Sequence, residues 1–174
     1  MITLPYINGR AYIHSSSFVE YVLKLNPKAQ KVSFDFHHES LNNCFEFKST
    51  KVQPFDKQEH NVTGQLDDTY FGFRDVGYEC STRSRSIKDH RLNNVEKADI
   101  AWVFSQHMKE CSSPSYDQTK QRLLLSSIVF TDLTLVPELA NFNMILRAVD
   151  SRLQGMFYRD GKIVCRIRML VRNK

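Results

Sequence analysis

The chain has no apolar run approaching the 18 or so residues that a membrane-spanning helix needs. Its opening, Met1-Ile-Thr-Leu-Pro-Tyr6, carries neither the basic nor the apolar stretch of a secretion signal. A cytoplasmic location with no membrane partner is the expectation. No CxxC pair occurs, and Cys44, Cys80, Cys111 and Cys165 are widely spaced. Structural zinc sites bring their ligands in close pairs, and His37-His38 beside Cys44 do not make up that pattern. The cysteines read as scattered free thiols of a reducing compartment, and no metal or cofactor is expected. Internal repeats and low-complexity tracts are missing too.

What is present is ordinary for a folded domain. The 174 residues are 41% hydrophobic and 25% charged, too apolar for disorder and enough for one good core with at most a small appended lobe. The net charge of +5 is uneven. Arg83–Arg91 holds four basic residues and one acid, and Arg159–Lys174 holds six and one. Together the two stretches carry +8, so the rest of the chain sums to −3. Concentrated positive charge is the footprint of a polyanion-binding surface; a solvated basic face is the plainer alternative.

Periodicity organises the chain as α+β. Ile2–Ile13 reads as extended, with a turn at Asn8-Gly9. Ser17-Phe-Val-Glu20 has the spacing of a capping box and opens a helix to about Asn26, closed by Pro27. Lys31–His38 and Cys44–Thr50 alternate strictly and read as a hairpin with one wet face. Lys51–Asp68 is polar, with a short helix conceivable near Phe55–Asn61, and Thr69–Cys80 is extended. This order predicts a ferredoxin-like (split βαβ) half over residues 1–81. Residues 82–174 then hold a basic loop, a helix to about Glu110, a strand over Leu123–Val136 and a helix opening at Pro137. They end in a β-hairpin turning at Asp160-Gly161, a strong type I′ signal.

Four groups of residues offer chemistry. Arg83, Arg85, Lys88 and Arg91 are interleaved with small hydroxyl residues, which suits forked contacts to phosphates and guanines. Arg166, Arg168 and Arg172 share one face of the last strand, either as a platform for a phosphate backbone or as charges guarding an edge. Asp35, Glu46 and Lys48 resemble the D…ExK core of metal-dependent restriction-like nucleases, in which carboxylates hold Mg²⁺. His14, His37, His38, His60, His90 and His107 are candidate bases for RNA cleavage, with His14 before the first helix and His90 inside the basic loop.

Three short stretches resemble, in order, the small repeat-processing endoribonuclease of subtype I-F CRISPR systems. They are Lys31-Val-Ser-Phe34, Arg83-Ser-Arg-Ser-Ile-Lys88 and Cys165-Arg-Ile-Arg-Met169. The resemblance implies a structured RNA partner, a CRISPR repeat hairpin, and CRISPR effector subunits nearby. It also implies either a divergent subunit or a viral mimic that inhibits the complex, an anti-CRISPR. The family's catalytic histidine lies late in its first helix; Phe18–Asn26 contains none, so cleavage is not carried over. RNA binding is the leading expectation. A Mg²⁺-dependent nuclease and a protein-interaction module without nucleic acid are the alternatives.

Overall fold

The computed structural model describes residues 1–7, 12–78, 84–85, 99–112, 116–117, 119–135 and 142–174, with the backbone alone at 84–85. The first elements are β1 (Ile2–Thr3), β2 (Tyr6–Ile7), α1 (Ser15–Leu25), β3 (Val32–Phe36), β4 (Cys44–Thr50), β5 (Val62–Leu66) and β6 (Thr69–Asp75). There follow β7 (Ser84–Arg85), α2 (Ile100–Ser112), β8 (Gln121–Phe130), β9 (Asn143–Val149), β10 (Arg152–Arg159) and β11 (Lys162–Asn173). Nine strands form one antiparallel sheet in the order β1-β4-β6-β5-β3-β8-β11-β10-β9, and β2 pairs with β7 in a separate parallel ribbon.

This order overturns the ferredoxin-like reading. β3 and β4 are not a hairpin: β5 and β6 stand between them. The strand that intervenes, Val62-Thr-Gly-Gln-Leu66, sits inside the stretch that reads as a polar loop. It is short and carries Gly64 at its centre, and glycine depresses strand propensity. The position has no room for a side chain. A Cβ on Gly64 would lie 2.1 Å from the Ser33 carbonyl oxygen and 2.3 Å from the Phe71 ring. Phe34 and Phe71, its register partners on either side, bring their rings to 4.9 Å across it.

A second correction falls after β8. The apolar spacing of Phe142, Leu146 and Val149 fits a helix, but Asn143–Val149 is the strand β9. Its alternation is equally present: Met144 and Leu146 are half-buried against the core while Ile145 and Val149 are exposed. Asn8-Gly9 and Pro137 lie outside the described residues. The last hairpin is as expected. Asp160 and Gly161 have φ of 49° and 75°, the two positive values a type I′ turn requires.

α1 and α2 pack on each other and over one face of the sheet. The core between them is fully buried and largely aromatic, with Phe34, Phe45, Phe73, Phe104 and Phe130 at 0% exposure. The helix α1 starts earlier than the capping-box pattern suggests. His14 is its cap, and its Nδ1 accepts the Ser16 backbone N–H at 3.2 Å. Ser17 is already inside the helix, where its hydroxyl donates to the Pro5 carbonyl at 2.9 Å, and Glu20 instead pairs with Lys24 at 2.5 Å.

The sheet joins residues from both sides of position 81 at one seam. Four residue pairs link β3 to β8: Val32 with Phe130, Ser33 with Val129, Phe34 with Ile128, and Asp35 with Ser127. The expectation that all the thiols are free is also corrected: Cys44 is disulfide-bonded, whereas Cys111 and Cys165 are free. Among the described residues no helix is long and apolar enough to cross a membrane.

Candidate functional site

Beyond Asp35 and Ser127 the two central strands part company, and the cause is one residue. Along β8, Ile128 and Ser127 pair in step with Ile167 and Arg168 of β11, but Met169 pairs with Leu125. Ser126 is therefore the extra residue of a β-bulge, which bends the strand that carries it; pairing with β11 resumes at Leu125, whereas pairing with β3 stops at Ser127. Past the bulge, Phe36–Ser40 on one side and Arg122–Ser126 on the other border a slot of about 460 Å³. That is within the usual range of small-molecule pockets.

Register sorts the walls. Alternation from Ile167 places Met169 and Val171 with their partners Leu125 and Leu123 toward the helices. It places Leu124 and Leu170, then Arg122 and Arg172, on the open face. The inner end of the slot is closed by Ile13, His14 and Phe18 at the start of α1, and by Ser105 and Lys109 of α2. The outer rim carries His37, His38, Glu39, Arg122 and Arg172. The slot thus has a charged mouth and an inner throat where apolar walls from Ile13, Phe18, Phe36, Leu123 and Leu125 are joined by His14, Ser105 and Lys109.

Its polar groups are in different states. His14 is buried, its Nδ1 lies 2.6 Å from the Ser16 hydroxyl, and its ring is 4.7 Å from the Trp102 ring. His37 shares a hydrogen bond of 2.8 Å with the Thr63 hydroxyl. Burial holds the His37 pKa below the ordinary histidine value, against the opposing pull of Asp35. Glu39 reaches Arg122 at 3.7 Å. Ser105 is 1% exposed, and its Oγ is the buried side-chain polar atom without a hydrogen-bond partner among the described residues. An unmet hydroxyl in a buried wall costs about 1–3 kcal/mol, so its presence beside a cavity is informative.

The nuclease constellation does not assemble. Asp35 on β3 and Glu46 on β4 are three strand positions apart, roughly 14 Å at ordinary strand spacing. Glu46 is held instead by Lys48 at 3.0 Å and Arg74 at 2.6 Å, and the Lys48 contact first, then Arg74, lowers its carboxyl pKa from the ordinary value. Among the described residues no group of three metal-ligating side chains occurs.

Arg166, Arg168 and Arg172 are exposed on β11 while Cys165, Ile167 and Met169 are buried, the alternation expected of them. Arg85 belongs by its backbone to β7; Arg83, Lys88, His90 and Arg91 lie outside the described residues. Of the other histidines, His60 is buried with its ring 5.0 Å from that of Phe55, and His107 lies 3.7 Å from the Cys111 sulfur. Ser105 and Arg122 carry no motif in the sequence. Arg122 becomes visible as a site residue only once the pairing of β8 with β11 is known.

No family model matches the chain, and no curated protein does. Several solved structures align with nearly all of it at low similarity. One is titled an acyl-CoA thioesterase II, TesB2, from Mycobacterium marinum: 9% identity, 92% of this chain, 89% of that one, TM-score 0.43. A putative thioesterase II from Thermobifida fusca gives 11% identity over 95% and 88%, TM-score 0.41. A conserved protein with a hot dog fold from Alicyclobacillus acidocaldarius gives 8% over 94% and 88%, TM-score 0.40. The resemblance to a CRISPR endoribonuclease is withdrawn: its ferredoxin-like frame is absent, and no family model supports it. With it go RNA binding and the anti-CRISPR reading; the nuclease and interaction-module alternatives gain nothing from the geometry.

Proposed function

We propose that the slot between β3 and β8 is the binding site of a small amphiphilic molecule, with its apolar part in the throat and its polar part at the mouth. One observation carries this reading. The bulge at Ser126 opens the sheet itself, and the opening is lined at one end by Phe18, Phe36, Leu123 and Leu125 and at the other by histidines and arginines. A gap of that kind forfeits strand hydrogen bonds and leaves apolar surface partly wet, which a bound ligand would recover. An acyl group on a charged carrier, as in the acyl-CoA named in one of the aligned titles, is a ligand of this class. Ser105 Oγ has no base within hydrogen-bond reach among the described residues, so this hydroxyl is read as a ligand contact and not as an activated nucleophile.

Trp102 gives the test its signal. It is the chain's one tryptophan, and its ring lies against His14, which lines the slot. Titrating the protein with octanol should change Trp102 emission saturably. Leu124→Gln and Leu170→Gln, at half-buried positions on the open face of the slot just before the throat, should each weaken that binding about five- to tenfold, the effect of losing most of one side chain's apolar contact. Unchanged affinity in both variants would remove the ligand from the slot.

A further inference from the structure

Arg122 and Arg172 are register partners on β8 and β11. Side chains directly opposite on an antiparallel pair share a face, with Cβ atoms about 4.5–5.5 Å apart, and like charges there are destabilising. Neither strand is an edge, so the pair does not serve to guard against edge-to-edge aggregation. The compensation within the chain is thin. Glu39 lies 3.7 Å from Arg122, with both side chains about half-exposed. Among the described residues no carboxylate pairs with Arg172. Both arginines line the slot, and the next pair along the same face is Leu124 with Leu170.

We infer that Arg122 and Arg172 form an oxyanion clamp that holds a carboxylate or phosphate group of the ligand at the mouth of the slot. The inference rests on the slot being a ligand site and names the class of ligand it takes: an anion with an apolar body. The planar guanidinium fork matches either oxyanion bidentately, and two forks on one face converge on a single group between them. The anion relieves the repulsion between the arginines. The hydrocarbon next to the charged group meets Leu124 and Leu170 before it enters the throat, so the order of residues along the two strands, cationic then aliphatic, matches the order of groups along the ligand.

The test compares three probes on the full chain by isothermal titration: octanol, octanoate and octyl phosphate. At least one anion should bind about tenfold or more tightly than octanol, a ratio equivalent to ~1.4 kcal/mol. That preference should shrink as salt is added, because the clamp is at the exposed mouth. Arg122→Gln and Arg172→Gln should each reduce the preference to within about twofold, while Arg172→Lys, which keeps the charge but loses the fork, retains part of it. Both residues are substantially exposed, and circular dichroism checks that the variants keep the wild-type fold. Equal binding of octanol and both anions overturns the clamp and leaves the slot as a neutral-ligand site. A preference that survives both Gln substitutions also overturns it. Failure of all three probes to bind removes the ligand site and the clamp together.

Discussion

The two sides of the central seam are filled with different material. On the β3 side the core is a cluster of rings: Phe18 meets Phe45 and Phe73 edge-on at 5.0 Å, and Phe34 meets Phe71 at 4.9 Å. On the β8 side rings share the space with aliphatic and sulfur-bearing side chains: Phe104 meets Phe130 at 5.6 Å and Phe157 at 4.6 Å, and Ile128, Ile167, Met169, Cys165 and Met108 are all at 0% exposure. Rings are rigid and leave no slack, so their neighbours must be cut to fit; methionine bends around whatever is beside it. The two glycines on the core face show this. A Cβ on Gly64 would strike a backbone oxygen and the Phe71 ring, whereas a Cβ on Gly155 would meet the Met108 sulfur at 2.8 Å. One obstacle cannot move and the other can.

That contrast can be broken by experiment. The largest effect belongs to the ring cluster: Phe34→Ala should cost ~3–5 kcal/mol in chemical denaturation, since the stacked rings cannot collapse into the space left behind. A loss under ~1 kcal/mol would mean the cluster is looser than its geometry. The glycines come next. Gly64→Ala should cost ~1–3 kcal/mol through overpacking, and Gly155→Ala less than ~1 kcal/mol because the Met108 side chain gives way. Equal costs would erase the distinction between a rigid and a compliant side.

The smallest effect is the dependence on pH. His37 has a depressed pKa when folded, so protonation favours the unfolded chain. Its contribution to stability is complete above the ordinary histidine value of 6.5 and is lost as pH falls through the lower, folded value. Between those limits the stability of wild type should fall more steeply than that of His37→Gln. Parallel curves would show that His37 titrates as it does in the unfolded chain.

Legibility in the sequence followed the same divide. The β10–β11 hairpin was readable because its strands are consecutive and its turn is dictated by Asp160-Gly161, a purely local signal. The β4-β6-β5-β3 order was not, because it depends on β5, a strand of five residues whose glycine only makes sense beside a ring brought from elsewhere in the chain. β9 failed for a different reason: Phe142, Leu146 and Val149 satisfy a helical period and a strand period at once, and the neighbouring strand decides. At the site, His14, His37 and Arg172 were picked out as residue types, but for RNA chemistry. What joins them to Ser105 and Arg122 is a bulge, and a bulge is a property of two strands that neither strand's sequence declares.

The seam between β3 and β8 is short, and the slot begins where it stops. A molecule lying there would occupy the stretch over which the two strands would otherwise have continued to pair. It would act as a splint across the joint, touching α1 and β3 on one bank and α2, β8 and β11 on the other. Occupancy and folding stability are then a single quantity: each gain in affinity appears as resistance of the chain to unfolding, in proportion to the logarithm of ligand concentration once the site is filled.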